Sequence, residues 1–321
     1  MSSRQMKLTR WSVGIPLGLA FSAGLAVSLQ VFTLGRLASH TGSPQLAATA
    51  NTIVGAVALL AIAIATRASA RAVHSVKAGA RVRAWQLLMG ANGGLFLIVA
   101  SSAVPKVGVA LFTVAAVCGQ TLGSLAVDRL ALSPAGRRHF TTPRLVGAAL
   151  AIVAVGISAL GSHDDLHLGW LGLTVLVGAG TAVQQAALGH VARATGEPLV
   201  AGWVNMTVAA VVVVVAWAIV KDGAVPGGWS APLVQWLVPG LCGALALVIF
   251  ATVVKRLGVL RLMLAAIAGQ SVCALLLDAV APTAGEVITV QTLVSVALTL
   301  VAVTVSGLGR GGPQTAAQRA G

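Results

Sequence analysis

The chain has 321 residues, 57% hydrophobic and only 9% charged, and its mean hydropathy is +0.95. Soluble domains carry about 25% charged residues, so a soluble globular fold is excluded, and the apolar excess equally excludes disorder. The 21 Lys and Arg against 7 Asp and Glu leave a net charge of +14; with no aromatic-interleaved basic patch, this reads as the basic loops of a membrane protein and not as a nucleic-acid surface.

Arg4, Lys7 and Arg10 precede an apolar run from Trp11 to about Gly35. That run outlasts the roughly 7–15 residues of a signal-peptide core, so the first element is expected to be an uncleaved spanning helix. A span needs about 20 apolar residues. The predicted spans are 12–35, 45–66, 85–104, 107–127 and 144–161, then 168–191, 199–220, 233–254, 257–277 and 286–307. Turn chemistry separates them at Gly42-Ser43-Pro44, Pro105, Ser133 to Gly136, Gly161 to His167, Gly196-Glu197-Pro198, Pro226-Gly227-Gly228 and Pro282. The very short third-to-fourth and eighth-to-ninth connections predict tight helical hairpins. The stretch Arg67 to Arg83 reads as a charged cytoplasmic loop touching lipid headgroups.

Charge tests the count. With a cytoplasmic N-terminus, 17 of the basic residues share that side, and Arg36, Lys106 and Lys221 lie opposite. Arg261, inside the ninth span, is expected to snorkel. This predicts an all-α polytopic membrane protein of ten spans with both termini cytoplasmic. Trp11, Trp85, Trp170 and Trp236 all start helices, as interface anchors do. Residues 1–11 are then a cytoplasmic tail, 12–161 a first five-helix repeat and 162–167 an external linker. Residues 168–307 form a second five-helix repeat, and 308–321 a second cytoplasmic tail.

The chain repeats itself. Shifted by 154, Gly24 falls on Gly178, Gln30 on Gln184, Gly42 on Gly196, Pro44 on Pro198 and Asn51 on Asn205. Shifted by 150, Gly90 falls on Gly240, Gly93 on Gly243, Gly108 on Gly258, Gly119-Gln120 on Gly269-Gln270 and Asp128 on Asp278. An odd number of spans per copy makes the two copies enter the membrane from opposite sides, which is the inverted repeat of many secondary transporters.

A Gly-rich helix ending in Gln, then Gly-Ser-Pro, an Asn in the second helix and Gly119-Gln120-Thr-Leu-Gly-Ser-Leu-Ala-Val-Asp128 in the fourth together resemble the YdcZ-like branch of the drug/metabolite transporter superfamily. These are five-span bacterial proteins that also occur as ten-span fusions. The resemblance covers nearly all of both copies. The second copy departs from it in its last helix, where Arg144-Leu-Val-Gly147 becomes Thr292-Leu-Val-Ser295. The resemblance implies a bacterial inner-membrane permease with a central cavity. The superfamily's small multidrug exporters use a central Glu in the first helix, and this chain has none there.

Polar residues inside spans are the candidate machinery. Gln30 and Asn51 should lie at one depth on neighbouring helices, and Gln184 and Asn205 repeat them; each pair is either a clasp across a hairpin or a contact to substrate. Gln120 and Gln270, nearer mid-span, are candidate cavity residues. Asn92 breaks the repeat, its counterpart being Cys242, and is a further candidate. Asp128 and Asp278 end their helices, where the macrodipole disfavours an anion, so each is expected to pair with a cation: Arg129 or Arg144 for Asp128, and one of Arg36, Lys106 and Lys221 for Asp278. Either could serve as a gate.

Cys118, Cys242 and Cys273 lack metal-ligand spacing, no HExxH occurs, and no nucleotide-binding loop is present. No cofactor, metal or catalytic residue is expected. The expected partners are a small-molecule substrate and the bilayer, with a monomer or a homodimer both open. The reading is a secondary transporter, an exporter of a neutral or zwitterionic metabolite or a drug-like solute; the alternatives are a non-transporting sensor or scaffold, or a flippase for a lipid-like substrate.

Overall fold

The protein is seen in a computed structural model, which describes residues 3–79, 81–130, 132, 142–160, 165–220, 231–281 and 290–308. These form eleven α-helices and no strand: α1 (Ser3–Thr41), α2 (Pro44–Ala65), α3 (Ala68–Lys77), α4 (Ala84–Leu88), α5 (Gly90–Val107), α6 (Val109–Arg129), α7 (Thr142–Leu160), α8 (Asp165–Thr195), α9 (Pro198–Val220), α10 (Leu233–Val280) and α11 (Val290–Leu308). Among the described residues, eight segments are long and apolar enough to cross a membrane, and shorter apolar stretches lie at Leu145–Ala154 in α7 and Leu293–Ala302 in α11.

Helix ends follow local chemistry. Gly42 (φ +65°) and Gly196 (φ +74°) stop α1 and α8 in the left-handed region, where glycine carries no Cβ penalty. Ser43 then caps α2, its Oγ accepting from the Leu46 N–H at 3.2 Å, with Pro44 at the first position. Gly108 (φ +78°) separates α5 from α6. Its counterpart Gly258 lies inside α10. That helix nonetheless folds back, because Gly243 lies against Gln30 of α1 while Gly269 lies against Phe21 of the same helix. A straight helix would hold these glycines about 39 Å apart, whereas Phe21 and Gln30 are about 14 Å apart. The expected hairpin is therefore present within one continuous helical stretch.

Two expectations need correction. The helices overrun the apolar stretches: α1 continues to Thr41 and α8 to Thr195, since only the glycines stop them. The basic stretch after α2 is not a loop throughout. Residues 68–77 contain Ala, Ser, Val and basic residues without Gly or Pro, a composition that supports a helix, and α3 buries Ala68 and Ala72.

The packing is reciprocal between the copies. Gly24 of α1 sits on the Ala266 carbonyl of α10, and Gly178 of α8 on the Ala116 carbonyl of α6. Gly269 packs on Phe21, and Gly119 on Val175. The first helix of each copy thus packs on the fourth helix of the other; α2 pairs with α9, and α7 with α11. Small residues permit this because lipid provides no hydrophobic drive between helices, leaving close van der Waals contact to hold them. Large apolar residues such as Leu176 and Ile219 face outward.

Candidate functional site

A central cavity of about 700 Å³, its open mouth included, lies between the copies. Its polar lining is Gln30, Gln120, Thr181, Gln184, Gln185, Asn205 and Gln270. Its apolar lining includes Phe96, Leu97, Met206, Leu247, Phe250 and Met263. Six repeat-related pairs of positions contribute: Gln30 with Gln184, Gln120 with Gln270, Leu97 with Leu247, Gly93 with Gly243, Phe96 with Ala246 and Val27 with Thr181.

The amides are held in the same way in each copy. Gln30 Nε2 donates to Asn51 Oδ1 at 3.0 Å, and Gln184 Nε2 donates to Asn205 Oδ1 at 3.1 Å. Each glutamine amide lies against a glycine of the other copy. A Cβ on Gly243 would stand 2.4 Å from Gln30 Nε2, and one on Gly93 would stand 2.7 Å from Gln184 Nε2. The glycines are therefore part of the site: they leave the room into which the amides fit.

Asn92 is placed behind the lining. Its Nδ2 donates to Gln184 Oε1 and to the Val177 carbonyl, both at 3.3 Å, and its Oδ1 fills the space beside Gly180. It reaches the cavity only through Gln184. Gln120 is buried and lines the cavity, and its Oε1 has no hydrogen-bond partner among the described residues.

Two apolar clusters flank these amides, and they too are repeat-related. One contains Leu34, Leu37, Ala103, Val104, Val107 and Phe112. The other contains their counterparts Leu188, Val191, Val253, Val254, Leu257 and Leu262. The cavity leans toward the second cluster, since Phe250 and Met263 line it while their counterparts Ala100 and Thr113 do not.

Asp278 departs from the expected cation pairing. Its carboxylate accepts from the backbone N–H groups of Val109 at 3.2 Å and of Ala110. The break at Gly108 frees these N–H groups, and the positive end of the α6 dipole meets the anion there. The expected cations are engaged elsewhere: Arg36 lies over Phe32 and Lys106 over Trp170. Lys221 lies outside the described residues, as does the Asp128 side chain. On α3, Arg71 grips Glu197 with Nε and Nη2, the latter at 3.1 Å, and donates to the Thr66 carbonyl. This fork joins the first copy's basic segment to the Gly196-Glu197-Pro198 turn of the second, and the hydrogen bond to Glu197 holds the guanidinium above its ordinary pKa.

Sequence reasoning missed Gln185, Thr181, Phe96, Phe250, Met206 and Met263 as lining. Only Gln185 carried a signal, as a second amide beside Gln184.

A family model described as "Putative inner membrane exporter, YdcZ" matches twice, over residues 15–157 and 169–305. No curated protein matches the chain. Two matches in tandem agree with the reciprocal packing of two like halves, and they take in every residue of the cavity. The chain thus belongs to the YdcZ family of the drug/metabolite transporter superfamily, as a duplicated, multi-pass inner-membrane member of an exporter family.

Proposed function

We propose that the protein exports a small solute by alternating access, using ten spans arranged as two inverted five-helix copies with both termini in the cytoplasm. The observation that carries this reading is the amide-lined cavity set between two repeat-related apolar clusters. In an inverted repeat, equivalent clusters lie toward opposite membrane faces. Leu34, Val104 and Phe112 then close the outer end, and Leu188, Val254 and Leu262 the inner end. Opening one while the other stays packed would expose the amides to each side in turn. α7 and α11 pair with one another and complete the ten spans. The charge distribution supports cytoplasmic tails.

Gln30, Gln184, Gln120 and Gln270 are the proposed substrate contacts, and Asn92 orients Gln184. Asn51 and Asn205 act as clasps that hold the glutamine amides, Asp278 as a clasp on α6, and Asp128 as its counterpart in the other copy. The test is a single cysteine at Gln270, with Cys118, Cys242 and Cys273 replaced. Alternating access predicts that a small membrane-impermeant thiol reagent labels it from outside in intact cells and from the cytoplasmic side in inverted vesicles. Labelling from one face only refutes the proposal, because a one-sided pocket serves a sensor and not a carrier.

A further inference from the structure

The cavity presents six amides and, among the described residues, no ionisable side chain in its lining. Gln30, Gln184 and Asn205 are committed to the bonds described above. Gln120 is not. Its side chain is 4% exposed, it lines the cavity, and its carbonyl oxygen is shut off from water without a partner. A primary amide offers an acceptor beside two donors, and an unsatisfied one at membrane depth is unfavourable. The complement that satisfies both edges at once is another amide-type edge, an N–H donor next to a C=O acceptor. A charged ligand lacks any counter-charge here: an anion meets no Lys or Arg in the lining, and a cation meets no carboxylate. Phe96, Phe250, Met206 and Met263 supply apolar wall for the rest of the molecule.

We infer that the cavity selects an uncharged solute bearing an amide-type edge, such as a carboxamide, a lactam or a nucleobase, which pairs with Gln120 as that side chain turns its buried oxygen toward the cavity. The inference rests on the proposal that this cavity is the substrate site. It narrows the neutral, zwitterionic and drug-like range read from the sequence to one hydrogen-bonding pattern.

Benzamide, benzoate and benzamidinium share a ring and a size and differ in charge. Their binding to the purified full-length chain in lipid nanodiscs is measured by equilibrium dialysis at pH 7. Benzamide is expected to bind at least about tenfold more tightly than either ion, and Gln120→Leu to remove that advantage. The melting temperature of unliganded Gln120→Leu should equal or exceed that of the parent, because an unpaired buried amide is removed. Gln120→Glu should invert the order in favour of benzamidinium, which a merely structural glutamine would not produce. Preference for either ion, benzamide binding that survives Gln120→Leu, or no binding of any of the three overturns the inference. The cysteine labelling at position 270 uses no ligand, so the two failures separate: an ionic preference with two-sided labelling refutes the substrate class alone, and one-sided labelling refutes the transport path.

Discussion

The place where the two copies differ most sharply beside the cavity gives the strictest test of the packing. Asn92 has Cys242 as its counterpart, and Gly180 has Ala26. Both pairs span the two copies: the larger side chain faces the glycine in one pair, while Cys242 and Ala26 share an apolar cluster in the other. A Cβ on residue 180 would stand 1.9 Å from Asn92 Oδ1 and 3.0 Å from its Nδ2, so the amide must leave. Overpacking of this kind costs about 1–3 kcal/mol. Displacing Asn92 adds two hydrogen bonds lost, each worth about 1 kcal/mol, and the helix gain of Ala over Gly returns about 1 kcal/mol. Gly180→Ala should therefore destabilise by about 2–4 kcal/mol net. Asn92→Cys alone loses the same bonds and leaves a gap. Combined with Gly180→Ala it reproduces the arrangement of the Cys242 and Ala26 pair, and stability should return to within about 1 kcal/mol of the parent, a strongly non-additive cycle. Unfolding in SDS–detergent mixtures, followed by helical circular dichroism, measures the cycle. Additive single effects, or a Gly180→Ala variant as stable as the parent, would show that residues 92 and 180 do not constrain one another.

Other substitutions follow from the same geometry. Gly243→Ala and Gly93→Ala should push the Gln30 and Gln184 amides off their asparagine partners, each destabilising by about 1–3 kcal/mol and altering the labelling of a cysteine at 270; unchanged labelling would show that the amides do not shape the cavity. Asp278→Ala leaves the Val109 and Ala110 N–H groups unpaired and should cost about 1–3 kcal/mol, whereas Asp278→Asn, which still accepts a hydrogen bond, should recover much of it; equal loss in both variants would point to charge and not capping. Arg71→Glu should raise protease sensitivity at the 196–198 turn, and combining it with Glu197→Arg should restore protection; a swap that fails to restore it would mean the fork does not hold this turn.

Much of the architecture was legible because glycine and glutamine are conspicuous against apolar helices. Gln30, Gln184, Gln120 and Gln270 stood out by residue type alone, and the two constant shifts tied them into a repeat. The break at Gly108 was legible as a hairpin, but its consequence for Asp278 was not. The partners of Asp278 are the α6 backbone N–H groups, which converge on the carboxylate only once the chain is folded. Phe250, Met206 and Met263 gave no signal, because an apolar side chain facing a cavity and one facing lipid look alike in a span. The seats of the amides on Gly93 and Gly243 were hidden for a different reason: they lie between copies about 90 to 210 residues apart in sequence, and helical spacing speaks only of neighbours on one helix.

Alternating access requires that two equivalent ends of the molecule open in opposition around one cavity. Ser39 and Lys106 are exposed at one end, and their counterparts Arg193 and Arg256 are exposed at the other. Spin labels on Ser39→Cys with Lys106→Cys, and separately on Arg193→Cys with Arg256→Cys, report both ends by pulsed electron–electron dipolar spectroscopy in nanodiscs. Each pair should show a short and a long distance. Overpacking one end, with Leu188→Trp or with its counterpart Leu34→Trp, should shift the two pairs in opposite directions. A single distance at both ends, or two ends that widen together, would contradict alternating access.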